Sequence, residues 1–123
     1  MTGKQLTWKR WHGNKKYEKL KDALLKALEA TELAKTDDDD GTCNLDSPVL
    51  LYRKMGYQKQ KAIAVVNEVG LGAWAPSPGY WNGCLVLTGM TIGQGNCRTA
   101  MAEAFRRSLK ESGIESGMYY QMD

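Results

Sequence analysis

Apolar residues recur at helical spacing in three stretches, with short strand-like runs between them. From residue 15 to about residue 35, Tyr17, Leu20, Leu24, Ala27, Leu28 and Thr31 form one stripe, opposite Glu18, Lys19, Lys26 and Glu29. Asn14, just before it, is a favourable N-cap. Residues 56–69 carry a second stripe (Ala62, Ile63, Val66, Val69). Residues 97–112 carry a third (Met101, Ala104, Phe105, Ser108, Leu109). These two helices end alike, in Glu68-Val69-Gly70-Leu71 and Glu111-Ser112-Gly113-Ile114, with glycine placed where a helix turns left-handed and stops.

Four strands are predicted between and after these helices. The first spans residues 43–53, centred on Val49-Leu50-Leu51-Tyr52, with Pro48 at its start or on an edge. The others span residues 71–75, 80–88 (centred on Cys84-Leu85-Val86-Leu87) and 117–122. Pro76-Ser77-Pro78-Gly79 is the preferred turn between the middle two, leaving Gly83 as a bulge; Asn82-Gly83 is the alternative hairpin turn. The order after the leading helix is therefore β-α-β-β-α-β. With right-handed crossovers this predicts an α+β fold: an N-terminal helix, then a ferredoxin-like unit with a four-stranded antiparallel sheet in the order 4-1-3-2 and both helices on one face. The leading helix covers the other face, or that face joins subunits in a homo-oligomer.

A chain of 123 residues, 42% of them hydrophobic, is expected to form a single domain, 1–123, with a basic helical part (1–36) and an α+β core (41–123). No apolar run approaches the roughly 18 residues a membrane helix needs, and the N-terminus lacks the apolar stretch of a signal peptide. Cys43, Cys84 and Cys97 form no CxxC pair and cannot all pair internally, which points to the cytoplasm.

The net charge of +3 is too small to announce a nucleic-acid binder, but the charge is unevenly spread. Lys4, Lys9, Arg10, Lys15, Lys16, Lys19, Lys21 and Lys26 face only Glu18 and Asp22 within residues 1–26, and an acidic run follows at 37–40. Trp8, Trp11 and Tyr17 are interleaved with the cations, a pattern that suits nucleic acid by phosphate contact and stacking. The simpler reading is a solvated basic helix with a few aromatics on the core.

The glycine turn Gly93-Gln94-Gly95-Asn96 runs straight into Cys97-Arg98-Thr99 and the third helix. A helix N-terminus presents unpaired N–H groups and a positive dipole end, and glycines let a ligand approach the backbone. Arg98 opposes the dipole there, and a cation so placed beside an anion site is a hint of a ligand. The predicted topology gathers three segments at one edge. The first holds Thr42, Asn44, Asp46 and Ser47; the second Gly93, Gln94, Gly95, Asn96, Arg98 and Thr99; the third Tyr119, Tyr120 and Gln121. Together they suit a nucleotide-like anion, with phosphate on Arg98 and the turn amides and a base on a tyrosine. Local readings stand beside this one. Asn44, Asp46 and Ser47 are turn formers, Asn96 an N-cap, and Arg98 a partner for the Asp123 carboxylates.

Catalytic chemistry finds little support in the inventory. His12 is the only histidine and lies outside the patterned region. Cys97 at a helix start would have a lowered pKa, but a small buried residue is the simpler reading of both Cys97 and Cys43. A calcium loop aligned on Gly41 puts Thr36 and Ser47 where carboxylates are wanted, and zinc spacing, a Walker loop and a Rossmann fingerprint are all missing. Binding is favoured over catalysis, and no cofactor or metal is expected.

The strings Gly41-Thr42-Cys43-Asn44-Leu45-Asp46-Ser47-Pro48, Gly93-Gln94-Gly95-Asn96-Cys97-Arg98-Thr99 and Tyr119-Tyr120-Gln121-Met122-Asp123 resemble small proteins of prophages and mobile elements that have no assigned activity. The resemblance covers about residues 41–123. It implies an accessory protein that counters host defence, either by sequestering a nucleotide signal or, in the manner of an anti-CRISPR protein, by covering a host defence protein.

Overall fold

The computed structural model describes residues 13–35, 47–76, 83–90 and 95–119, and of residues 95–97 the backbone alone. Helix α1 (Lys15–Leu33) starts at Asn14, whose side chain accepts a hydrogen bond from the Lys16 N–H at 3.0 Å. Its buried residues are Tyr17, Leu20, Ala23, Leu24, Ala27 and Thr31, so Ala23 joins the expected stripe while Leu28 lies half-buried. The Thr31 hydroxyl donates to the Ala27 carbonyl at 2.7 Å, which accounts for a buried polar group inside the helix.

Strand β1 (Ser47–Leu50) is buried throughout and shorter than expected. The expected strand residues 51–53 instead enter a turn, in which Met55 N–H donates to Leu51 O, Gly56 N–H to Arg53 O and Tyr57 N–H to Tyr52 O. Residues 43–46 lie outside the described residues. Helix α2 (Lys59–Glu68) starts three residues later than expected, because Gly56, at φ +75°, belongs to this turn.

Strands β2 (Gly72–Trp74) and β3 (Leu85–Thr88) follow. Gly83 is a turn residue at φ +77° ahead of β3 and not a bulge inside it. The Arg53 side chain crosses that glycine, where a Cβ would stand 2.7 Å from Arg53 Cβ. Of the prolyl turn, Ser77, Pro78 and Gly79 lie outside the described residues, as does Asn82. Helix α3 (Gly95–Glu111) begins two residues early, so Asn96 lies inside it and does not cap it. Strand β4 (Ser116–Tyr119) closes the sheet.

The matching helix ends are matching hydrogen-bond motifs. Leu71 N–H donates to Val66 O at 3.1 Å and Gly70 N–H to Asn67 O at 3.0 Å; Ile114 N–H donates to Leu109 O at 2.9 Å and Gly113 N–H to Lys110 O at 3.0 Å. Both are Schellman closures, and both glycines have positive φ (91° and 81°). Each turn delivers an apolar residue, Leu71 or Ile114, into the core just before a strand.

The sheet has the order β2-β3-β1-β4, which is 4-1-3-2 read from the other edge, with every pairing antiparallel. Its two faces separate by strand alternation. Leu50, Leu85 and Leu87 join α1, α2 and α3 around Phe105, Leu20, Leu24, Val65 and Leu109. Val49, Cys84 and Val86 form a second cluster, with Leu51 and Tyr119 packed against it. Helix α1 packs on α3 and α2 and shares their cluster. The expectation that it covers the opposite face is therefore corrected: its stripe completes the helical layer.

The lower end of α1 is tied to the β1–α2 turn. Gln58 N–H donates to the Tyr17 hydroxyl at 2.9 Å, and the Tyr17 and Tyr57 rings lie 5.4 Å apart at 44°. Lys16 Nζ donates to Gly56 O at 2.6 Å and stands 5.3 Å from the Tyr57 ring centroid. Burial, with a smaller contribution from the nearby Tyr17, pushes the Tyr57 phenol above its ordinary pKa.

Candidate functional site

Antiparallel pairing puts the start of β1, the end of β3 and the end of β4 at one end of the sheet. Ser47 is the register partner of Tyr119. Arg98, in the first turns of α3, is half-buried beside them, and its Nη2 donates to Ser47 Oγ at 3.3 Å. Three residues drawn from three separate segments of the sequence, Ser47, Arg98 and Tyr119, therefore lie together. Thr99 is half-buried on the next position of α3, and Gly95 and Asn96 belong to the same helix by their backbone. Thr42, Asn44, Asp46, Gly93, Gln94, Tyr120 and Gln121 lie outside the described residues.

The neighbourhood combines a fixed cation, a hydroxyl and rings. The Ser47 hydroxyl is buried, and its bond to the guanidinium orients the cation towards one side of the strand end. A guanidinium carries five N–H donors in one plane, a geometry that suits carboxylate and phosphate oxygens. The Tyr119 ring meets Trp74 edge-on, with centroids 5.5 Å apart and planes at 81°.

Trp74 is not among the residues expected at the ligand edge; the sequence offers it, with Trp8 and Trp81, only as an exposed contact for a partner protein. It sits on β2, at the far edge of the sheet, and reaches Tyr119 across the face that carries Val86 and Val49. The register contains the signal, since Trp74, Val86, Val49 and Gly117 are successive partners across four strands. That register follows from the pairing of distant segments, which no local pattern displays.

Cys84 lies on the same face, and burial pushes its thiol above the ordinary value, partly offset by the Arg53 guanidinium. A thiol held protonated is a poor nucleophile, so its place is in packing. Cys43, Cys97 and His12 fall outside the residues whose side chains are described. Among the described residues, no three His, Cys, Asp or Glu side chains gather as a metal site requires. No helix among the described residues is long and apolar enough to cross a membrane. Comparison with protein-family models, with curated proteins and with solved structures finds no match to this chain.

Proposed function

We propose that this chain is a ferredoxin-like α+β scaffold with one added helix, used for binding and not for catalysis, and that it takes up a nucleotide-like anion where Arg98, Ser47 and Tyr119 meet. The fold reading is supported by the strand order, the all-antiparallel pairing and the β-α-β-β-α-β sequence of elements. The ligand reading rests on one observation: Arg98 donates to Ser47 Oγ at 3.3 Å while Ser47 faces Tyr119 across the ladder. A guanidinium held this way serves a phosphate, and an aromatic ring on the neighbouring strand serves a base. Sequestration of such a ligand fits a phage or mobile-element protein that counters host defence.

Isothermal calorimetry against mononucleotides and cyclic dinucleotides tests the proposal. Binding by the parent protein and at least about a ten-fold loss in Arg98→Ala, as expected for a charge-assisted hydrogen bond, would support it. A silent panel, or binding indifferent to the substitution, would sink it.

A second reading, inhibition of a host defence effector by surface contact, is favoured by Trp74, which stays 41% exposed on the edge strand β2. Exposed tryptophan is a common anchor of protein interfaces. Here inhibition would be lost in Trp74→Ala and kept in Arg98→Ala, the reverse of the first reading.

A further inference from the structure

At the end of the sheet opposite Arg98, the structure collects cations that lie far apart in sequence. Beyond β1, residues 51–54 are held between two neighbours: Leu51 N–H donates to Glu115 O at 3.1 Å, and Arg53 N–H to Gly83 O at 3.2 Å. A cavity lies on each side of this segment. One, of about 310 Å³, is lined by Arg106 and Lys110 of α3 and by Gly113, Ile114, Glu115 and Ser116. The other, of about 220 Å³, is lined by Arg53, Lys54, Leu51, Gly83 and Cys84.

Helix α1 adds to this end. Lys19 Nζ stands beside Gly113 of the first cavity's lining, 3.8 Å from where a Cβ there would be, and itself lines the neighbouring recess. Lys16 is fixed on Gly56 O in the turn that follows Arg53 and Lys54. Six cations (Lys16, Lys19, Arg53, Lys54, Arg106 and Lys110) are exposed here. Of the two cavity linings, only Glu115 carries a negative charge. Asp22 and Glu111 line a neighbouring recess with Lys19 and Lys26, where the signs balance.

We propose that this basic end binds the phosphate backbone of a nucleic acid. A single small anion needs one seat. Two separate basic recesses either side of one turn, flanked by lysines from a third element, match a repeating anion. Among the described aromatic residues at this end, Tyr17 and Tyr57 are buried against each other, and Tyr52 packs half-buried against the core. Recognition therefore runs through phosphates and tolerates any base sequence. The proposal is independent of the Arg98 site, which lies at the other end of β1 and β4.

The test is fluorescence anisotropy with a labelled duplex and a labelled single strand of mixed sequence, over about 50 to 200 mM salt. The parent protein is expected to bind both, with log K falling linearly in log salt and a slope of about −3 for some four neutralised phosphates. The double variants Arg106→Gln/Lys110→Gln and Arg53→Gln/Lys54→Gln are each expected to weaken binding about ten-fold. Each should also flatten the slope by about one to two units, roughly one for every phosphate that no longer meets a cation. Lys35→Gln/Arg107→Gln, which removes the same charge from exposed positions elsewhere, is expected to change affinity less than about two-fold. No binding by the parent protein at about 50 mM salt overturns the proposal without recourse to any variant. So does an equal loss in the control pair, which reduces the effect to net charge. Tighter retention of polyglutamate than of either nucleic acid assigns the surface to an acidic protein and also overturns it.

Discussion

The two faces of the sheet are built in different ways. The helical face collects residues from all three helices and from strands of the sheet around Phe105, Leu20, Leu24 and Leu109, each fully buried. On the other face, the described cluster is Val49, Cys84 and Val86, with Leu51 and Tyr119 against it and the Trp74 ring meeting Tyr119 edge-on. The first face is the interdigitated aliphatic packing that fixes a fold. The second places large rings on a shallow surface and leaves Trp74 exposed to 41%. The contrast teaches that most of the buried packing lies on one side of the sheet, while the other side leaves a large ring exposed.

The largest expected effect lies on the helical side. Phe105→Ala leaves a cavity among three helices and should cost about 3–5 kcal/mol in urea unfolding. Val86→Ala removes less carbon from a smaller cluster and should cost about 2 kcal/mol. An equal cost for the two would break the asymmetry. Tyr17→Phe leaves the aromatic contact but deprives the Gln58 N–H of its acceptor, with an expected loss of about 1–2 kcal/mol.

The smallest effect is a pH dependence that assigns one titration to each face. The Cys84 and Tyr57 pKa values are both raised in the folded protein, above 9.0 and 10.0 respectively. The unfolded chain therefore loses each proton first. Stability is fully present below about pH 9 and falls as pH rises through the folded pKa values. Thermal melts across alkaline pH should show Cys84→Ala flattening the earlier part of this decline and Tyr57→Phe the later part. A decline unchanged in both variants would locate its cause elsewhere.

Several features were legible in the sequence for physical reasons. Asn14 marks the start of α1 because its side chain satisfies a helix N–H, and Gly70 and Gly113 mark helix ends because both closures need positive φ. The strand order came from combining those ends with right-handed crossovers. The early end of β1 was hidden, because Val49-Leu50-Leu51-Tyr52 reads as a continuous apolar run. Only the tertiary bonds of Leu51 and Arg53 show where pairing gives way to a turn. The early start of α3 was hidden too, since Gly95 carries no helical preference.

The docking of α1 was equally open in the sequence, since an amphipathic stripe fits any apolar surface of the right width. Of the candidate site, the meeting of Ser47, Arg98 and Tyr119 could be reasoned from topology, whereas Trp74 needed the register. Of the basic end, Lys16 and Lys19 belong to the cationic stretch visible in the sequence, whereas Arg53, Lys54, Arg106 and Lys110 come to the same end of the sheet only through the fold.

The bond from Gln58 to Tyr17 also has a kinetic consequence. It joins the first turn of one helix to the start of another, 41 residues apart. When α1 lifts away, the Gln58 amide loses its acceptor and meets water. Its hydrogen-exchange rate is therefore a clock for the opening of α1. If Gln58 exchanges together with the amides of β1 and β3, the added helix is part of one cooperative unit. Faster exchange at Gln58 would make α1 a hinged cover that opens while the sheet stays closed.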